Sequence, residues 1–192
     1  MKLKDFNLIK IIITTIVTLL IPSCNDDKNT FYEVKNDEVI YHSVYRKGQE
    51  YYTKAHVRTQ IVKGADATTF GEISKQYGAD AIHVFYKATQ LKSRDPLTFK
   101  VINKFITTDK FSVYLENKKI DNSDGLSFQF LNGFYAIDNN QVYYFLGTQY
   151  EVLKNVDRKT FAPIDNYYDY AKDTNHVYYR NHLINNAKPT SF

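Results

Sequence analysis

The sequence predicts an all-β fold: a tandem array of short antiparallel hairpin repeats of about 30 residues, preceded by a signal helix. The array is expected to form a curved sheet or solenoid, with a small closed propeller as the alternative. Three observations predict it. First, the chain is rich in strand-forming aromatics, with 17 tyrosines and 13 phenylalanines and no tryptophan. Second, an aspartate precedes a valine by four positions in four places: Asp80/Val84, Asp109/Val113, Asp138/Val142 and Asp173/Val177. Third, a Thr/Ser-Phe pair recurs at Phe70, Phe99, Phe128, Phe161 and Phe192, at intervals of 29, 29, 33 and 31 residues. Two markers that keep step in this way indicate a repeated unit.

Each unit reads as a hairpin. Tyr135-Ala136-Ile137 and Tyr170-Ala171-Lys172 are short incoming strands. Asp138-Asn139-Asn140 and Asp173-Thr174-Asn175 make the reversal, since Asp and Asn side chains bond nearby backbone and tolerate left-handed geometry. Val-Tyr-Tyr is the outgoing strand. Alternation places Val142 and Tyr144 on one face and Tyr143 on the other, and splits Val177 and Tyr179 from Tyr178 in the same way. Asn117-Lys118-Lys119 and Leu146-Gly147-Thr148 supply a second turn. Asp66, Asp95, Asp124 and Asp157 lie three or four residues before the marker phenylalanines and are placed to cap a turn there. A worn copy is expected at Arg46 to Tyr52. A unit of this size cannot bury its own apolar face, so neighbouring units must stack. Units this short fit four full-length blade strands poorly, which favours the open array.

The segment Tyr170 to Tyr179 (YAKDTNHVYY) resembles the repeat of the DKNYY family of bacterial proteins, and Tyr135 to Tyr144 (YAIDNNQVYY) is similar to it. Ala65 to Phe70 resembles that family's piece between copies. The resemblance covers roughly residues 45 to 192. It implies a repeat fold and an exported setting, and no activity. The copies at 80–86 and 109–115 keep aspartate and valine but carry Ile82 and Phe111 in place of asparagine, so their turns are expected to depart from the others.

The first residues carry a different message. Lys2, Lys4 and Lys10 precede an uncharged run from Ile11 to Ile21, then Pro22-Ser23-Cys24. A basic start, a short apolar stretch and a small residue before the cut describe a secretory signal, too short for a comfortable membrane span of about 20 residues. Leu20 to Cys24 resembles the lipobox of bacterial lipoproteins. Cys24 is the one cysteine in the chain, so it has no internal disulfide partner and is the expected site of acylation. The organisation expected is a leader at 1–23, a polar tether at 24–30 and a β-repeat domain at 31–192. The expected location is the cell envelope, lipid-anchored, in the outer membrane of a Gram-negative bacterium, with Asp26-Asp27 resembling a surface-export signal.

Function is less legible. Removing the leader removes three lysines, and no basic block remains, so nucleic acid is not an expected partner. His42, His56, His83, His176 and His182 show no zinc-site spacing, and no nucleophile elbow, phosphate loop or dinucleotide fingerprint occurs. No cofactor, metal or enzymatic activity is expected. The aspartate-asparagine turns offer oxygens of the kind calcium uses, but lack the glycine and distal glutamate of a calcium loop, which favours the turn-forming reading. Phe85, Tyr114, Tyr143 and Tyr178 face away from their neighbouring valines. If aligned at the surface they would form an aromatic ladder for a sugar or protein partner. The simpler reading is cross-strand pairing within the sheet. The function expected is a membrane-anchored, non-enzymatic binding or scaffold module for a protein or glycan. The alternatives are an immunity-type lipoprotein that neutralises an envelope-acting toxin, and an enzyme built on acidic side chains.

Overall fold

The computed structural model describes residues 31–45, 55–164 and 169–192. The expected leader at 1–23, Cys24, the expected tether and the expected worn copy at Arg46 to Tyr52 lie outside the described residues. The described chain forms five small antiparallel sheets, in each of which the strands follow chain order as a meander. Sheet I holds β1 (Tyr32–Lys35), β2 (Glu38–Tyr45) and β3 (His56–Ile61). Sheet II holds β4 (Gly71–Ser74), β5 (Tyr77–Ala79), β6 (Val84–Tyr86) and β7 (Thr89–Leu91). Sheet III holds β8 (Lys100–Val101), β9 (Ile106–Asp109), β10 (Ser112–Leu115) and β11 (Lys118–Lys119). Sheet IV holds β12 (Gln129–Phe130), β13 (Tyr135–Ile137), β14 (Val142–Leu146) and β15 (Gln149–Val152). Sheet V holds β16 (Ala162–Pro163), β17 (Tyr170–Lys172), β18 (Val177–Tyr179) and β19 (His182–Leu183). The fold is the expected all-β repeat array. As folded, each of the last four sheets begins just after a Thr/Ser-Phe marker, so the marker opens a unit.

The predicted alternation holds. Val142 and Tyr144 pack toward sheet V with Phe161, Ala171 and Tyr178. Tyr143 and Phe145 pack toward sheet III with Ile106, Val113 and Phe128. Because each inner sheet has a neighbour on both sides, both faces are dry, and Val142 to Phe145 are buried without a break. The core is therefore four slabs, one at each junction. Sheets I and II close over Tyr32, Val39, Tyr41 and Phe85. Sheets II and III close over Tyr77, Val84 and Phe99.

The marker phenylalanine is the wedge at each junction. Phe70, Phe99 and Phe161 meet the incoming-strand tyrosine of the preceding unit, Tyr32, Tyr77 and Tyr135, with centroids 5.2, 5.5 and 5.5 Å apart; Phe128 packs with Ile106 at the corresponding place, and beyond the last sheet Phe192 lies 6.4 Å from Tyr170. A small residue opposite the central aromatic leaves room for it. Ala136 and Ala171 pair with Tyr143 and Tyr178. Gly78 pairs with Phe85, and a Cβ there would sit 2.3 Å from the Phe70 ring.

The ends stay unstacked. On sheet I the outward pairs Ile40/Ile61 and Val44/Val57 leave Ile61, Val44 and Val57 more than half exposed. On sheet V, Tyr179 and Phe192 are exposed. A closed ring would bury these faces, so among the described residues the array is open. Val177 is fully buried, and the last residues fold back beside it through the Ile184 N–H to the Val177 carbonyl (2.8 Å) and a short 3-10 turn at Pro189–Ser191.

Candidate functional site

Each unit from sheet II to sheet V carries two linked aspartates. In sheet IV, Asp138 Oδ1 accepts the backbone N–H groups of Asn140 (2.6 Å) and Gln141 (2.7 Å), and Oδ2 accepts the N–H of Asp124 (2.8 Å). Asp124 in turn accepts from the Ser127 hydroxyl (2.7 Å), whose oxygen accepts the Asn139 N–H (2.8 Å). Asp80 with Asp66 and Thr69, Asp109 with Asp95 and Thr98, and Asp173 with Asp157 and Thr160 repeat the pattern. The hairpin aspartates are 1–5% exposed. Their oxygens are filled by N–H donors, which is why the segment reads as a turn and not as a cation loop. Asp66, Asp95, Asp124 and Asp157 cap the marker turns as the spacing predicts.

Two details of the turn differ from expectation. No residue of the four hairpin turns has a positive φ. The left-handed residues lie instead in the second turn (Lys87, Glu116, Asn117, Gly147, Arg180), six places ahead of the marker phenylalanine (Gly64, Ser93, Asn122, Asn155, Asn186) and in the first turn of sheet I (Asn36, Asp37). The copies with Ile82 and Phe111 keep the aspartate turn, because the carboxylate alone gathers the backbone; Ile82 and Phe111 point out, 70% and 56% exposed.

The proposed aromatic ladder is corrected by its burial. Phe85, Tyr114, Tyr143 and Tyr178 are 0%, 1%, 0% and 1% exposed. Stacking on both faces places them in the core, so they cannot form a surface ladder. Three of the four use their hydroxyl inside the unit: Tyr114 donates to Asp109 (3.0 Å), Tyr178 to Asp173 (2.7 Å), and Tyr143 to Asp138. Burial, reinforced by the facing aspartates, pushes the Tyr114 phenol up to about 12 and raises Tyr143 and Tyr178 as well. Burial alone would raise Asp173, but N–H donors and the Tyr178 hydroxyl outweigh it and hold the carboxyl at about 2. Phe85 has no hydroxyl, and in that unit His83 Nδ1 lies 3.3 Å from Asp80. His176 lies at the same distance from Asp173. Both histidines thus sit on the turn aspartate. Among the described residues no three metal-ligating side chains gather.

The surface offers a different candidate, which alternation along the strands could not reveal because it joins loops and strand residues of three sheets. A groove of about 520 Å³ runs along the edge shared by sheets I, II and III. Lys75 and Gln76 from the β4–β5 loop, Lys87 from the β6–β7 turn, and Asn103 and Lys104 from the β8–β9 loop line it, with Phe31 at its sheet I side. Lys75 and Lys104 each stand five residues after a marker phenylalanine, so the repeat places them at equivalent points. The signal was present in the sequence as this lysine spacing.

The DKNYY family model matches residues 1–118 and again residues 45–182, so the chain belongs to the DKNYY family. No curated protein and no solved structure matches it.

Proposed function

We propose that this DKNYY-family chain is a lipid-anchored cell-envelope protein, and a non-enzymatic binding or scaffold module for a protein or glycan. The observation that carries the reading is the division of labour within the repeat. The recurring aspartates and most of the recurring aromatics are committed to turns and junctions, while lysines and amides from three inter-strand loops, beside strand residues of sheets I to III, line the exposed groove. An array of stacked units is a stiff support for such loops, as in other repeat architectures. The leader and Cys24 supply the anchoring half of the proposal. Acylation of Cys24 would contribute about 0.8 kcal/mol per buried methylene, and two or more chains hold stably. The outer membrane of a Gram-negative bacterium is the proposed site.

Two experiments test the halves separately. Cys24→Ser is expected to give an unprocessed or soluble product, with no incorporation of labelled palmitate; an unchanged membrane fraction would refute the anchor. Cross-linking on intact cells is expected to recover a specific envelope partner. Recovery of none under several growth conditions would refute the binding role, and toxin sensitivity on deletion would replace it with an immunity role.

A further inference from the structure

We infer that the groove along sheets I to III binds an acidic glycan, an inference that rests on the binding-module reading above and names its ligand class. Three lysines line one recess, and among the described residues none of them is in an ion pair. Each lies over a ring: Lys75 Nζ 5.6 Å from the Phe31 centroid, Lys87 Nζ 5.0 Å from Tyr86, and Lys104 Nζ 4.5 Å from Phe105. A ring face holds an ammonium in place and leaves its N–H donors for an anion.

No carboxylate lines the groove. Glu72, the acid nearest in sequence to Lys75, is turned toward the backbone N–H groups of Phe31 and Tyr32, at 3.1 Å each. The positive edge is also bounded. In the next unit the position of Lys87 is held by Glu116, and in the one after that the position of Lys104 is held by Gly133. The repeat thus sets the positions of Lys75 and Lys104, and the residues that occupy these positions in the later units confine the basic edge to sheets I to III.

The lining chooses among anions. The Gln76 amide, the Asn103 amide N–H groups and the Ser74 hydroxyl proton are the neutral groups left beside the lysines and the Phe31 ring, since Ser43 Oγ donates to the Arg58 carbonyl (3.3 Å), Ser74 Oγ accepts the Gln76 N–H (3.4 Å), and Asn103 Oδ1 accepts the N–H groups of Phe105 (2.8 Å) and Ile106 (2.9 Å). Hydroxyl and amide partners, a ring face and a cation together match a sugar that carries a carboxylate. Consecutive stacked sheets lie about 10 Å apart, so equivalent lysines one unit apart suit an extended chain with spaced charges better than a single compact anion.

The test uses the full chain in a neutral detergent and a uronic-acid oligosaccharide as probe, with its fully methyl-esterified form as the uncharged control. The acid form is expected to bind and the ester not to. Combined Lys75→Gln, Lys87→Gln and Lys104→Gln should weaken binding about tenfold or more, as should raised salt. Lys118→Gln with Lys119→Gln, which line a separate groove, should leave it unchanged. All five lysines are solvent-accessible, so the variants should melt like the parent, which a thermal scan verifies. Equal binding of acid and ester, no binding of either, or full affinity in the triple variant overturns the inference. So does capture by phosphatidylglycerol vesicles without capture of the oligosaccharide. A cellular partner held equally by parent and triple variant would sink this inference and leave the binding-module reading standing. Absence of any cellular partner would remove both.

Discussion

The junction between sheets II and III and the junction between sheets IV and V are built on one plan and filled very differently. Between IV and V, seven buried apolar residues interlock: Tyr135, Val142, Tyr144, Leu153, Phe161, Ala171 and Tyr178. The Tyr135 hydroxyl donates to the carbonyls of Asp169 (2.8 Å) and Arg180 (2.9 Å), bridging the open end of the next hairpin. Tyr144 adds a bond to the Asp169 carboxylate at 2.6 Å. Between II and III the buried apolar cluster is Tyr77, Val84 and Phe99. Arg94 intrudes there, its guanidinium 3.4 Å from the Tyr114 ring centroid and bonded to the Asn117 carbonyl at 2.7 Å. Thr107 stands where sheets IV and V have alanine, and neither its hydroxyl nor Arg94 Nε has a hydrogen-bond partner. The difference teaches where a repeat array is weakest. Stability in such an array is roughly a sum of unit and junction contributions, and a polar, thinly packed junction contributes less than a dry aromatic one.

The comparison predicts an order of effects. Phe161→Ala empties the centre of the IV–V slab and should lower stability by about 3–5 kcal/mol. Phe99→Ala should cost less, because the II–III slab is already thin. Equal losses, read by denaturant titration, would break the comparison.

Gly125→Ala tests the contact between the linker into sheet IV and the turn of sheet III. A Cβ there would lie 2.1 Å from the Asp109 carbonyl oxygen and 2.2 Å from that of Ser112. Both are backbone, so the linker must move, and a loss of about 1–3 kcal/mol is expected. An unchanged melting temperature would show that the two units are not seated on each other.

Acid sharpens the comparison at the turn. The Asp173 carboxyl has a folded value of about 2 against an ordinary 3.8. A value lowered by folding adds stability above the unfolded value and loses it as pH falls through the folded one. About 2 kcal/mol should therefore fade between roughly pH 4 and pH 2. Asp173→Asn should be destabilised at neutral pH and should flatten that part of the pH profile; a profile unchanged by the substitution would remove the turn aspartate from the account.

The smallest effect has the opposite sign. Thr107→Val keeps the shape and removes a buried hydroxyl without a partner, so it should be neutral or stabilise by up to about 1 kcal/mol. A clear loss would mean that the hydroxyl is bonded after all.

The repeat, its all-β character and the alternation of Val142, Tyr143 and Tyr144 were legible because period and side-chain type are properties of neighbouring residues. The capping role of Asp66, Asp95, Asp124 and Asp157 was legible for the same reason. Burial of Tyr143 and Tyr178 was not. Alternation says that two residues face opposite ways, but only the stacking of a second sheet decides whether either face meets water. The tolerance of Ile82 and Phe111 was also hidden, since turn propensity credits asparagine where the buried aspartate gathers the backbone by itself. The groove combines loops from units 29 residues apart in sequence with Phe31 of sheet I, and that proximity exists only after stacking.

The central claim is that the units are stacked end to end and that the II–III junction is the one that yields first. Native-state hydrogen exchange across low denaturant measures it directly. The amides of β5 and β6 should exchange through a partial opening at lower free energy than those of β13, β14, β17 and β18, which should approach the global value. One common free energy for all of these strands, or earlier opening of sheets IV and V, would contradict the account.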